Sequence, residues 1–430
     1  MGTAAIGIFI AFVVIVLLAS GLWIGAALGI SGGLAYFMYG GLRAVRAIGY
    51  ITFNSLTQYD FVALPLFIFM ATILANCGVT KRIYAGSAAL FARFPGGLLH
   101  ANVVGCALFA AICGSTAATC AAMSTIALPE LEKRKYPQTQ SLGSLAASGT
   151  LGPMIPPSLG FILYGVLTET SIGKLFMAGI IPGIMLTALF MSYILVHALV
   201  KQDVPREERK SISETISDLL SIWPVIALFV LVLGSIYFGI CTAVEAAALG
   251  CTGALLVAAL FKQLTLKNLQ QALVQGTNIT AMIFFVLLGG MMLGHGLSNF
   301  GVPQYLVRLV TEASLTRAEL LSALTIFYLI LGCFLDGAAI LVITLPIVFP
   351  VVRAVGIDPI WFGVIMVLFT EIAAITPPVG VNLFVMQGIT KLPLERIVKG
   401  VIPYIFLLLL LEVILVMFPA IALFLPNLMY

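Results

Sequence analysis

EIAAITPPVGVNLF, residues 371–384, places two adjacent prolines and a threonine in the middle of an apolar run. Proline has no N–H and bars the residue before it from the α region, so the pattern predicts a helix that stops near Thr376 and restarts beyond Val379. Composition decides what surrounds that break. Of 430 residues, 61% are hydrophobic and 9% charged. Apolar stretches long enough to cross a bilayer recur, as at residues 222–240, 320–335 and 401–425. Single runs of this length exceed the roughly 10 alternating residues of a membrane barrel strand. The fold class is therefore an all-α polytopic membrane protein. Irregular backbone at membrane depth is tolerated only where it is buried in protein or lines a cavity.

The same composition narrows the functional classes. A net charge of +4, with basic residues set singly or in short clusters, argues against nucleic acid as a partner. No basic residue precedes Arg43, so the first apolar stretch lacks the charged start of a cleaved signal peptide and reads as a membrane helix. Cys77, Cys106, Cys113, Cys120, Cys241, Cys251 and Cys333 form no C-x-x-C pair and read as packing residues. His100, His197 and His295 lack metal-ligand spacing, and no Walker motif or protease pair is present, which argues against an enzyme or an ATP-driven pump.

A second double proline lies in GTLGPMIPPSLGFILYG, residues 149–165. Pro156 and Pro157 pair with Pro377 and Pro378 at a shift of 221, and the same shift carries Gly179 and Pro182 onto Gly400 and Pro403. ANCGV (75–79) matches SNFGV (298–302) at 223, and ALP ending at Pro129 matches TLP ending at Pro346 at 217. GLWIGAALGISGGL (21–34) resembles the stretch from Gly239 onward. The chain thus reads as two copies of one unit, residues 1–200 and 219–430, joined by a polar cytoplasmic linker at 201–218. Basic residues give their relative orientation. Lys133, Arg134 and Lys135 follow Pro129, whereas Arg353 stands alone after Pro346; after the double prolines the bias reverses, with Lys174 alone against Lys391, Arg396 and Lys399. That reversal is what inverted repeats predict. The N-terminal unit is expected to form two short helices, which puts Arg43 and Arg46 outside.

Breaks in corresponding positions of two inverted halves point to a transporter's midplane site. Freed carbonyls and the Thr376 hydroxyl suit a small cation such as Na⁺, and the positive start of a half-helix suits a carboxylate. The broken helices are expected at about 141–168 and 360–390. Upstream of each lies a small, polar segment, AICGSTAATCAAMSTIALPE (111–130) and LGCFLDGAAILVITLPIVFP (331–350). Re-entrant hairpins at about 97–128 and 320–352, with tips at Gly114 to Thr116 and near Gly332 to Gly337, fit these segments; close helix packing through small residues is the plainer alternative. Intramembrane carboxylates are few. Asp336, at a hairpin tip, reads as a sodium-site neighbour or as a hinge-fixing acceptor. Glu245 reads as a buried structural hydrogen bond ahead of a proton relay, and Asp60, Glu371 and Glu412 as interfacial.

GSTAAT, SGTLGPMIPPS, FLDGAAILVITLPIVFP and AITPPVGVNLFV resemble the large membrane subunit of tripartite ATP-independent periplasmic (TRAP) transporters, and GGLLHANVVG and TAVEAAA extend the likeness over nearly the whole chain. The resemblance implies a bacterial inner-membrane, elevator-type secondary transporter that takes up small organic anions such as C4-dicarboxylates or sialic acid, driven by Na⁺. It also implies two partners, a small four-helix membrane subunit and a periplasmic substrate-binding protein. Residue by residue it implies one sodium site at Ser115, Thr116, Gly152, Ile155 and Pro157, and another at Gly332, Ala373, Thr376 and Val379. Substrate contacts are expected from Ser115, Thr150, Ser158, Asp336, Pro377 and Asn382. Cys113 stands where relatives commonly have serine and Ala373 where glycine is usual; a backbone carbonyl ligand survives either change. The transport domain is expected from about 95–190 and 320–400, with the remaining helices as scaffold. The small residues of GLWIGAALG suit packing against the small subunit or within the chain. A stand-alone sodium and carboxylate symporter or a channel are the rival readings.

Overall fold

The computed structural model describes residues 2–202, 204–205, 216, 218 and 220–429, so most of the expected linker at 201–218 lies outside the described residues. Those residues form helices and turns with no strand, which bears out the all-α reading. Among the described residues, seven helical segments are long and apolar enough to cross a bilayer.

Turn chemistry sets the local pattern. Leu98–Cys113 and Thr116–Lys133 form a helix pair whose turn is Gly114, at φ +59°, and Ser115. Glycine enters that left-handed region without the Cβ clash other residues meet. A 16-residue helix is about 24 Å long at 1.5 Å per residue, short of the roughly 30 Å hydrocarbon layer, so a helix pair of this size suits a re-entrant hairpin. The first broken helix follows as Gln138–Ser148, Leu151–Met154 and Leu159–Thr168, and then comes Ile172–Lys201. In the second half Arg317–Gly332 and Gly337–Ala354 form the helix pair, Pro359–Ile375 and Val381–Thr390 the broken helix, and Leu394–Met417 the long helix after it.

The two helices that follow the hairpin turns are both 18 residues long and start 221 apart. This corrects one alignment, because it sets Pro129 opposite Pro350 and not Pro346. The slip has a plain source: Gly337–Ala354 holds two prolines, Pro346 and Pro350, and it is Pro346 that follows a leucine as Pro129 does. Before Arg43 the N-terminal unit forms two helical stretches, as expected. A 17-residue helix, Thr3–Ala19, precedes the 33-residue Ile24–Leu56, which bends where Gly40 and Gly41 leave helical angles. The small-residue run packs within the chain, since a Cβ on Gly289 would stand 2.9 Å from Leu28 Cβ and 3.0 Å from Gly29 N. Ile24–Leu56 and Leu266–Asn299 therefore approach backbone to backbone, which is how membrane helices gain contact when lipid supplies no hydrophobic drive.

Buried polar tips fasten the helices, one of them across the two halves and the others within the second half. Tyr164 donates to Pro359 O at 2.7 Å and Trp361 Nε1 to Leu415 O at 3.0 Å. Tyr328 stacks on Phe369 with centroids 5.0 Å apart and donates to Thr344 at 2.9 Å. The first broken helix crosses Leu394–Met417 at glycine on both sides. A Cβ on Gly143 would lie 2.9 Å from Gly400 Cα, and one on Gly400 2.9 Å from Gly143 N. Backbone cannot swing aside as a side chain can, so Gly143→Ala is expected to destabilise the protein by about 1–3 kcal/mol. Gly33→Ala, with open space around the new methyl, is expected to leave the thermal midpoint unchanged or raise it. Equal midpoints for Gly143→Ala and wild type would remove the close crossing.

Candidate functional site

Each hairpin tip rests on the break of its own half. A Cβ on Gly152 would stand 2.8 Å from Ser115 C and 3.1 Å from Thr116 N, and Leu159 N donates to Gly114 O at 3.3 Å. A Cβ on Gly114 would in turn meet Pro157 O at 3.0 Å. In the second half a Cβ on Gly332 would stand 2.7 Å from Ala373 Cα, and Cys333 Sγ approaches Pro377 O at 3.6 Å. The structure thus brings Ser115, Thr116, Gly152 and Pro157 together at one tip, and Gly332, Ala373 and Pro377 at the other. Ile155 turns toward Ile172–Lys201, where a Cβ on Gly183 would stand 2.8 Å from its Cγ1. Thr376 ends Pro359–Ile375 and donates its hydroxyl to Ile372 O at 2.6 Å. Its oxygen keeps lone pairs, and carbonyls at a helix end carry partial negative charge, so the break offers a cation an all-oxygen setting. Val379 lies half-buried within the break.

Between the tips lies a cavity of about 450 Å³. Ser115 and Thr116 line it from the first hairpin, Asp336 and Gly337 from the second, Pro153 and Gly160 from the first broken helix, and Thr370 and Glu371 from the second. Thr72 on Ala63–Asn76 and Gln275 on Leu266–Asn299 close it from the other side. Among the described residues that line it, the charged side chains are Asp336 and Glu371, and none is basic.

Glu371 is not interfacial. It is 1% exposed, and Thr116 Oγ1 donates to its Oε1 and Oε2 at 2.9 and 2.8 Å, with Thr370 Oγ1 3.4 Å from Oε1. Sequence reasoning passed over it; its position five residues before Thr376, on the helix that ends at the break, was the available signal. Glu412 is not interfacial either: it is buried and accepts from Thr325. Asp60 is exposed. Glu245 is exposed rather than buried and closes a capping box, its Oε2 accepting from Thr242 N at 2.8 Å and Thr242 Oγ1 at 2.9 Å. Of the residues expected at the substrate, Ser115 and Asp336 line the cavity. Asp336 also caps Gly337–Ala354 by accepting from Ala339 N at 3.4 Å. Thr150, Ser158 and Asn382 are buried and engaged with backbone: Thr150 donates to Ala147 O, Ser158 accepts from Phe161 N, and Asn382 donates to Ala146 O at 2.8 Å.

Residues 11–421 match a family model described as tripartite ATP-independent periplasmic transporter, DctM component. Over 403 residues the chain is 36% identical to the C4-dicarboxylate TRAP transporter large permease protein DctM of Pseudomonas aeruginosa, covering 93% of this chain and 94% of that one. It is 32% identical over 399 residues to the ectoine TRAP transporter large permease protein TeaC of Halomonas elongata, covering 92% of each. The crystal structure of the Alcanivorax borkumensis YdaH transporter matches 89% of this chain and 90% of its own at a TM-score of 0.58 and 12% identity, a likeness of fold alone.

Proposed function

We propose, because this chain belongs to the DctM component family of tripartite ATP-independent periplasmic transporters, that it moves a small organic anion, a carboxylate, inward in symport with Na⁺. The family is one of transporter permeases and not of enzymes, and the chain is a multi-pass protein of the inner membrane. In this reading a periplasmic substrate-binding protein delivers the anion, and a small four-helix membrane subunit works beside the permease.

The observation that carries the reading is the cavity between the two tips, lined by two carboxylates and no basic side chain. An anion entering such a lining needs positive charge from elsewhere, and bound Na⁺ supplies it at close range in a medium that screens charge poorly. Ser115, Thr116, Gly152, Ile155 and Pro157 would hold one ion and Gly332, Ala373, Thr376 and Val379 the other, with the substrate between them against Ser115 and Asp336. Hairpins and broken helices, about 95–190 and 320–400, would travel as one body, because each tip is seated on a break, against a scaffold that includes Ala63–Asn76 and Leu266–Asn299. Elevator motion of that body carries the cavity from one side of the bilayer to the other in two inverted halves. The two carboxylates also favour a second reading, a zwitterion whose cationic group faces Glu371, and two relatives are named for ectoine.

The test is uptake by proteoliposomes holding the permease with its small subunit, presented with binding protein loaded with a C4-dicarboxylate or with ectoine. Uptake under an inward Na⁺ gradient, absent in K⁺, is the expected result. Transport without the binding protein would turn the assignment to a stand-alone symporter, and current at zero Na⁺ gradient would turn it to a channel.

A further inference from the structure

The two hairpin tips meet the same short stretch of chain. Within residues 370–373, Thr370 lies against the second hairpin, where a Cβ on Gly337 would stand 3.2 Å from its Cβ, and Ala373 lies against Gly332. Between them Glu371 reaches the other half of the molecule and takes the Thr116 hydroxyl, 255 residues away in sequence, with both carboxylate oxygens. The shift of 221 that relates the halves maps Glu371 onto Thr150 and Thr116 onto Gly337. Thr150 spends its hydroxyl on Ala147 O, so the reciprocal tie does not exist and the cross-link between halves is one-sided.

We propose that Glu371 is a positioning residue that couples the two cation sites, by fastening the tip of the first hairpin to the helix that carries the second site. The inference rests on the sodium reading above. Thr116 stands at the first proposed site, and Ala373 and Thr376 follow Glu371 on one continuous helix up to its end at the second. A cation that orders either site holds one end of the Thr116 to Glu371 bond in place. The second cation then meets a partner already ordered, which is positive cooperativity. Glu371 need not touch either ion for this.

Reach and charge are separable by two conservative variants. Glu371→Gln keeps an acceptor oxygen at the same distance from Thr116 and removes the charge. Glu371→Asp keeps the charge and withdraws the carboxylate by one methylene, too far for the 2.8 Å bond. Thermal unfolding midpoints of the purified permease are recorded against NaCl, with KCl holding ionic strength constant. Wild type and Glu371→Gln are expected to respond with a Hill coefficient near 2, and Glu371→Asp with one near 1. If Glu371→Asp remains cooperative, or Glu371→Gln loses cooperativity, the tie is not what couples the sites. A wild-type response to Na⁺ with a Hill coefficient near 1 also overturns the proposal, whereas no Na⁺ response in any of the three proteins overturns the sodium reading itself. As a check that does not depend on midpoints, Na⁺ is expected to slow maleimide labelling of Cys113, at the cavity edge of the first tip, in wild type. In Thr376→Val, altered only in the other half, that protection is expected to need more Na⁺, and an unchanged Na⁺ requirement would overturn the coupling.

Discussion

Gly332→Ala is expected to cut Na⁺-driven uptake by about 100-fold, the scale set when a preorganised site is displaced by about 1 Å. Gly332 is the last residue of Arg317–Gly332, and its missing side chain is what lets the second hairpin tip sit directly on the break, 2.7 Å from the Cα of Ala373 to the position a Cβ would take. Alanine is the better helix former, but the added methyl also meets the Ala373 backbone, so a loss of about 1–3 kcal/mol is expected, as for Gly143→Ala, and uptake is compared at a temperature where the variant is folded. Loss of uptake without loss of folding therefore separates the tip contact from a structural effect. The nearest obstacle to the added methyl is the Ala373 side chain, so Ala373→Gly in the same protein is expected to restore part of the activity. Non-additivity of that kind is the signature of two groups in contact. Uptake by Gly332→Ala at the wild-type rate would mean that the tip does not have to stay seated on the break during transport.

The break itself was legible because proline acts locally. Nothing outside residues 371–384 is needed to know that a helix cannot run through Pro377 and Pro378, and Pro359–Ile375 does stop at Thr376. The all-helical membrane class was legible because composition is a sum over the chain. Contacts between halves were not. Glu371 looked like any carboxylate near a membrane surface, and only the fold brings Thr116 to it. Thr150, Ser158 and Asn382 looked equally suited to a ligand, yet Thr150 and Ser158 turn to backbone groups three residues away, as short polar side chains do when a local partner is available, and Asn382 donates to Ala146 O in the other half. The alignment of Pro129 failed for a different reason: Gly337–Ala354 holds two prolines, and Leu345-Pro346 copies the local pattern of Leu128-Pro129, whereas the structural counterpart, Pro350, follows Phe349.

Thr376→Val is expected to abolish most of the Na⁺-specific stabilisation of the purified permease. A ligand that binds only the folded state adds RT ln(1 + [L]/Kd), about 1.4 kcal/mol at ten times Kd and about 2.7 kcal/mol at a hundred times. Valine matches threonine in shape and removes the oxygen. It also removes the 2.6 Å bond to Ile372 O, so some loss of stability is expected in any salt. That loss is common to Na⁺ and K⁺, and the quantity that reports the cation is the difference between midpoints in the two salts at equal ionic strength. In wild type the difference should grow with the logarithm of Na⁺ concentration; in Thr376→Val it should shrink toward that of the remaining site alone. Thr376→Ser, which keeps the hydroxyl, should recover it. If the difference between salts is the same in wild type and Thr376→Val, the threonine beside the double proline serves only to end its helix, and the charge offset that an anion needs in this acid-lined cavity has to come from protons carried by Asp336 or Glu371.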